Sequence, residues 1–560
     1  TSDQNLVLIN NIIIYNPFHS LGLFSVIDPE MINNVEFYKG AFTSEFGGRL
    51  SSVLSVITKD GNKNKFGAKA SASLLTGKLL IEGPLPEGSF MLTGRKTHSN
   101  NILKKFLNDQ VVPIDFYDLS FKLNYSGDAL IKNARINIFG LYSGDDLDYE
   151  DPLRESFSWK NNLLGFEWLQ IYDVPLYSKF SLSLSNFEGK INPNSSTYKP
   201  RENKVNDFNI AFDINSVLES KDELFAGVNI KILKTNLLLE NQAGVKSNLE
   251  KFSGNFSVYG KYKFLRYENF GIDIGSRMII SGLTSKGSGE FEPRVSMTYK
   301  IFPWLGLKTG WGIYIQELAT VSDENEIISL FEPWVIIPEY LGPSRAIHYT
   351  GGADIDLPYN LSLSVEAYLK ELNSLPVIND KKYFATDPDL VVGSGESFGY
   401  EFLLKYGYEW INLSASYTLS WAYKEIDDYV YYPKYDSRNT GNVSIDLNFG
   451  NGWSASTVWS YSSGLPFTEL VGFYDKYYIN NLFDPWYSLG MFLPYSILGG
   501  RNLGRLPEYH RLDIGISKKL QFSFLDVELD LNLINAYDRE NIFYFERDTG
   551  KRVNMLPLLL

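Results

Sequence analysis

From about residue 65 to its end the chain repeats one pattern, segments of about ten residues that alternate apolar and polar positions. Successive side chains of a strand point to opposite faces, so each segment reads as a strand with two unlike faces. In one such segment Leu525, Val527, Leu529, Leu531 and Leu533 share a face, and Asp526, Glu528, Asp530 and Asn532 share the other. Residues 361–370 repeat it, with Leu361, Leu363, Val365, Ala367 and Leu369 against Ser362, Ser364, Glu366, Tyr368 and Lys370. Phe208, Ile210, Phe212 and Ile214 likewise oppose Asp207, Asn209, Ala211 and Asp213. About 21 candidate strands can be counted this way, and no long amphipathic helix interrupts them.

The connections alternate too. Short ones fall at Pro84–Gly88, Gly127–Ile131, Ile301–Pro303, Leu357–Asn360 and Phe449–Gly452, and long ones at residues 98–115, 143–160, 189–205, 315–346, 371–396, 422–437 and 463–507. A meander with tight turns at one end and long loops at the other is the layout of a membrane-spanning barrel. Such barrels have an even number of strands. The expectation is therefore an all-β fold, a large transmembrane antiparallel β-barrel of about 22 strands with the last one missing. Asp, Glu, Asn and Lys on one face are costly to bury dry, so the lumen is expected to be wet or filled by a polar plug. Tyr142, Trp159, Trp168, Trp304, Trp410, Trp421 and Trp453 are candidates for the aromatic girdles at the two interfaces, although aromatics also favour strands in general.

Composition is read against this pattern. The 560 residues hold 52 Lys+Arg and 66 Asp+Glu, a net charge of −14, which argues against a nucleic-acid partner. Cysteine is absent and only His19, His98, His348 and His510 are present, without metal-ligand spacing. No Gly-x-Ser-x-Gly elbow or His-Glu-x-x-His motif occurs, so neither an enzyme nor a bound cofactor is expected. The mean hydropathy of −0.16 describes a soluble protein on its face. It is also what remains when only alternate strand residues face lipid. The chain opens mid-pattern on a candidate strand, Asn5–Asn10, without a basic or apolar leader, and is expected to be a fragment lacking its true start.

Residues 1–64 differ from the rest. They predict a short helix at 28–33, a strand at 34–38, a glycine turn and a strand at 52–58, a small mixed α/β unit. Ile32, Val35, Glu36, Lys39, Gly40, Phe46, Gly47, Gly48, Val53, Val56, Ile57, Thr58 and Lys59 resemble the plug domain of TonB-dependent outer-membrane receptors. Lys39 stands where Arg is usual, Phe46 where Tyr is usual, and Arg49–Ser52 is inserted. That insertion and the His19–Phe24 segment resemble the branch common in Bacteroidetes-type bacteria. Glu292–Arg294, Tyr314–Gln316, Val365–Lys370, Ser463–Pro466, Arg505–Asp513 and Leu533–Asn535 resemble barrel segments of the same family.

The resemblance implies residues 1–64 as the C-terminal part of a plug and 65–560 as the barrel, with the TonB box, the first half of the plug and the terminal strand missing. Its plug motif falls on Glu36, Lys39, Gly40, Gly47, Gly48 and Arg49, where the three glycines are expected to supply positive φ. Plug cations of the family pair with barrel carboxylates, and lumen-facing Glu366 and Glu401 are the expected partners of Lys39 and Arg49. It also implies TonB with its inner-membrane energising complex, outer-membrane lipid, an extracellular ligand and a surface lipoprotein as partners, in the outer membrane of a Gram-negative bacterium.

Trp334, Tyr474, Tyr478 and Trp486 lie in the longest loops, where they are expected either to contact substrate or to pack the loops together. Asp145, Asp146, Asp148, Glu150 and Asp151 read as a solvated acidic loop, with calcium as the alternative. The function expected is active import of a ferric siderophore, cobalamin, oligosaccharide or peptide. The alternatives are a passive porin or structural barrel, and a soluble glycan-binding β-protein.

Overall fold

The computed structural model describes residues 2–98, 115–129, 131–148, 155–194, 201–240, 246–281, 289–321, 332–379, 382, 384, 386–474, 495–545, 552–555 and 558. Four N-terminal strands form one sheet: β1 (Asn5–Ile9), β2 (Ile12–Ile13), β3 (Ile32–Tyr38) and β4 (Ser52–Thr58), in the order β2-β1-β4-β3. β1 runs parallel to β4, with Leu6 opposite Val53, and β3 runs antiparallel to it. The helix expected at 28–33 is a single 3-10 turn, Pro29–Met31, started by Asp28, whose carboxylate accepts from the Glu30 backbone N–H at 3.0 Å. Proline just inside a turn and Asp before it satisfy the usual N-terminal preferences.

Most of the remaining strands form a closed barrel whose order follows the chain from Gly67–Ala72 to Asp526–Leu533, and the others pair as short two-stranded sheets. Among the described residues the barrel counts twenty-two strands, one of them the three-residue Tyr429–Tyr431. That short strand pairs with the end of Ile411–Ile426, which also pairs directly with Asn439–Gly450. One rim carries tight connections such as 303–304 and 409–410, and the other carries connections as long as 463–508. The unequal rims are those of a membrane barrel and not of a soluble sandwich.

The wall is inside-out relative to a soluble protein. In Asp115–Tyr125, inward-facing Phe116, Asp118, Ser120, Lys122 and Asn124 are buried, while outward-facing Leu119 and Leu123 are 47% and 40% exposed. Tyr117 and Tyr125 flank the outward apolar pair on the same face. The outer band needs no protein partner because lipid covers it, and the closed ladder leaves no unpaired backbone for lipid to meet. Inward residues are buried because the N-terminal sheet fills this part of the lumen. The core therefore sits at the interface of sheet and wall, where Ile9, Ile12 and Ile14 pack on Met91, Phe139, Leu141 and Leu163.

Trp168, Trp304, Trp410, Trp453 and Tyr142 are exposed on the outer face. Trp421 is half-buried and stacks on Phe398 and on the Arg438 guanidinium. Trp159 departs from the girdle expectation. It is 6% exposed and packs inside the lumen with Tyr15, Phe157 and Phe187, because its position has the inward parity of Ser156–Ile171. Leu164, on the outer face of the same strand, is 45% exposed. A Leu164→Arg substitution is expected to lower the stability of the barrel in lipid by about 2–4 kcal/mol, the range for a cation at the bilayer midplane. Denaturant titration in vesicles, read by heat-modifiable gel mobility, measures this directly.

Candidate functional site

The segment between β3 and β4 presses on one arc of the wall, and the contacts are mostly polar. Lys39 Nζ lies 2.6 Å from Glu401 Oε2 and 3.5 Å from Glu366 Oε2. Glu366 and Glu401 face each other across adjacent strands, and Lys308 also pairs with Glu366, so two cations hold the two carboxylates. Burial opposes the charge on Lys39, but hydrogen bonds and charge from Glu401 and Glu366 outweigh it and raise its pKa above the ordinary lysine value. Lys370 Nζ donates to the carbonyls of Lys39 at 2.8 Å and Ser51 at 3.0 Å. His348 Nε2 donates to the Leu50 carbonyl at 2.6 Å, and the Ala41 N–H approaches His348 Nδ1 at 3.4 Å, which fits a neutral ring.

A second anchor inverts the expected polarity, because here the wall supplies the arginine. Arg294 Nη1 donates to the Thr43 and Phe46 carbonyls, both at 2.6 Å, and its guanidinium stacks on Phe42 and Tyr314 at 5.0 and 4.4 Å. Glu292, fully buried beside it, lies 3.2 Å from Arg294 Nη2 and accepts from the Ile315 N–H at 2.7 Å. The Glu292-Pro-Arg294 spacing places both charges on the inward face of one strand, but nothing in the sequence told that they meet the plug.

Arg49 does not join the Lys39 carboxylates. It is 3% exposed, donates to the Gly48 carbonyl at 2.8 Å, and stacks on Trp334 at 5.0 Å and Tyr15 at 5.8 Å. The turn before it points the side chain toward the long-loop rim, away from Glu366. The three glycines also do different jobs. Only Gly48 among them has a positive φ, +80°. A Cβ on Gly47 would fall 2.6 Å from Arg277 Nε, so Gly47 is a glycine for room, whereas one on Gly40 would make an ordinary contact with Thr350 at 3.4 Å. Glu36 lies on the exposed face of β3 and accepts from Tyr38 Oη at 2.9 Å.

Near the long-loop rim His19 forms a further anchor that sequence reading missed. Its Nδ1 lies 2.6 Å from Asp145 and its Nε2 3.4 Å from Asp118, and the ring stacks on Phe116 at 4.3 Å. Asp145 is thus buried against the plug and is not part of a solvated loop; Glu150 and Asp151 lie outside the described residues. Burial works against a charge on His19, but the hydrogen bonds and charges of Asp118 and Asp145 outweigh it and hold its pKa above the ordinary histidine value. Toward the short-turn rim, Lys122 Nζ donates to the Thr58 carbonyl and pairs with Asp60, both at 2.8 Å.

Of the loop aromatics, Tyr474 is 54% exposed, whereas Trp334 is only 7% exposed and faces the plug. Trp334 is therefore not a free ligand contact: its strand turns into the lumen. Tyr478 and Trp486 lie outside the described residues. A cavity of about 490 Å³ separates plug from wall beside Gly48, Arg49, Ser183 and Asn229. Among the described residues no cluster of His, Asp and Glu suited to a metal is present.

Solved structures with this architecture are numerous. The ferric preacinetobactin receptor BauA of Acinetobacter baumannii aligns over 99% of this chain and 87% of its own, at 13% identity and a TM-score of 0.67. The ferric-catecholate import receptor Fiu of E. coli K12 aligns over 100% and 88%, at 11% identity and a TM-score of 0.68. FpvA of P. aeruginosa, bound to a pyoverdine and iron, aligns over 99% and 78%, at 12% identity and a TM-score of 0.71. The chain shares their fold. No family model and no curated protein matches it by sequence.

The His19 anchor has a pH signature. A folded pKa raised above about 6.5 makes its contribution complete below that value and removes it as pH rises through the folded pKa. Urea-induced exposure of the N-terminal sheet is expected to become easier from neutral toward alkaline pH. His19→Gln is expected to flatten that profile between pH 5 and 9.

Proposed function

We propose that the chain is an active importer of the outer membrane, of the TonB-dependent type, with residues 1–64 acting as the plug and 65–560 as the barrel. The observation that carries this reading is a separate N-terminal sheet inside a closed barrel, held there by hydrogen bonds and ion pairs. Such contacts stabilise a seated plug yet can be exchanged for water contacts when it moves, because the net value of each is only about 1 kcal/mol. A passive porin has no use for a segment that blocks its lumen.

In this reading ligand binds at the long-loop rim, which faces outside the cell. Binding shifts the plug between two seated states, and force from TonB, drawing on the proton gradient of the inner membrane, then displaces it. The Lys39–Glu366–Glu401 cluster is one catch of the seat. In this reading the activity is transport and not turnover. Several neighbours in fold are named for ferric siderophores and one for copper transport. An iron chelate is accordingly the first substrate class to test, followed by cobalamin, oligosaccharides and peptides.

Uptake of the bound compound by cells carrying the full-length protein is expected to stop when an uncoupler collapses the proton gradient; uptake that continues unchanged favours a passive pore. Glu366→Gln combined with Glu401→Gln removes both ion-pair partners of Lys39. Because Lys39 is 40% exposed, the loss of plug seating is expected to be only about 1 kcal/mol. Chemical labelling of a single cysteine placed in the plug measures it, and an unchanged labelling rate removes the cluster from the mechanism.

A further inference from the structure

The connection between the strands Leu305–Gln316 and Ser344–Leu357 does not stay at the rim. Its segments Leu318–Thr320 and Trp334–Ile336 pair as a hairpin. Leu318, Ala319, Trp334 and Val335 are all buried there, at most 9% exposed. The hairpin touches three separate parts of the molecule. It is fixed to the wall by Asn203, whose amide donates to the Trp334 carbonyl at 2.9 Å and accepts from the Trp334 N–H at 2.8 Å. It meets the plug through the Trp334 ring, which lies 5.0 Å from the Arg49 guanidinium and edge-on to Tyr15 at 5.2 Å. The Thr320 N–H adds a contact to Asp3 at 3.2 Å. It meets a second long-rim connection through Glu332, which pairs with Lys434 Nζ at 2.9 Å and accepts from Tyr435 Oη.

We propose that this hairpin is a coupling strap: displacement of the 432–438 segment by ligand draws Trp334 off Arg49 and loosens the plug. The inference rests on the transporter reading, but its test reads plug exposure and not uptake, so the two can fail separately. Arg49 carries the argument. It is buried, has no carboxylate within ion-pair distance among the described residues, and hydrogen-bonds to the carbonyl of its neighbour Gly48. The faces of Trp334 and Tyr15 supply much of the remaining compensation for its charge, and such stacking is strongest when desolvated.

Lifting Trp334 therefore leaves a buried cation poorly satisfied and favours movement of the plug. The pull reaches Trp334 because the Glu332–Lys434 pair is itself nearly buried, with side chains 11% and 7% exposed. Separating such a pair strands a charge, so hairpin and loop segment move together. Leu50 and Ser51, next to Arg49, are the residues whose carbonyls His348 and Lys370 hold. A shift of Arg49 thus bears directly on two anchors of the plug.

The 560 residues hold no cysteine, so an introduced thiol is the one reactive thiol among them. Val53, fully buried in β4, is replaced by cysteine in the full-length protein, and its reaction with a membrane-impermeant maleimide is followed in outer-membrane vesicles. Trp334→Ala is expected to raise the rate at least fivefold, and Trp334→Phe, which keeps a ring, much less. Lys434→Ala is expected to raise it too, and the double variant to match Trp334→Ala alone, since the loop acts through the tryptophan. Asn203→Ala, which frees the hairpin without touching the plug, is expected to act in the same direction. Lys382→Ala, which breaks an ion pair to Asp389 in another long-rim connection, is expected to leave the rate unchanged. A parental rate for Lys434→Ala overturns the proposal. So do multiplicative effects in the double variant, or a rise with Lys382→Ala. Retained heat-modifiable mobility in each variant separates plug loosening from barrel loss.

Discussion

Everything in this chain follows from polar side chains that face inward. A barrel in lipid must turn its apolar positions outward, which leaves Asp118, Lys122, Asp207, Glu292 and Arg294 aimed at the lumen. Charges in such a place must be hydrated or matched, because an unpaired buried charge is costly. The N-terminal sheet supplies part of the match. Its carbonyls at Phe42, Thr43, Phe46, Leu50, Ser51 and Thr58 take the wall's cationic and polar donors, and its His19 and Lys39 take the wall's carboxylates.

That mode of attachment suits a part that has to move. An apolar seal alone loses its driving force when opened to water. A hydrogen bond broken in a wet lumen is exchanged for one to water, at a net difference of about 1 kcal/mol. The anchors differ in kind accordingly. The Lys39 cluster is half-open to solvent, Arg294 is desolvated and stacked between two rings, and His19 sits between two carboxylates. Apolar packing of Ile9, Ile12 and Ile14 on Phe139 and Leu163 adds a base of stability that does not depend on pH.

Much of this was legible before any coordinates. Alternation located the strands and told the faces apart, and alternating loop length told the rims apart. Lys39, Glu366 and Glu401 could be singled out because two had lumen parity and the third stood in a recognisable plug motif. Trp159 had inward parity in its strand all along, whereas Arg49, Trp334, Asp145 and His19 were misjudged or missed for a common reason. Each makes its decisive contact across a sequence separation of more than one hundred residues, and parity says which face a side chain occupies but not what stands opposite. A loop aromatic also carries no mark in the sequence that its segment turns inward.

Local residue order suffices for the alternation, the meander and the sign of each face, because these depend on the two-residue period of a strand and on local turn length. The tertiary structure alone decided which charges meet. It set Gly47 against Arg277, put the wall's Arg294 on plug carbonyls, and laid Trp334 over Arg49. Those pairings depend on how far one strand is staggered against the next and on how the inner sheet is rotated within the ring. Both quantities are sums over the whole closed barrel, which no local stretch of residues contains.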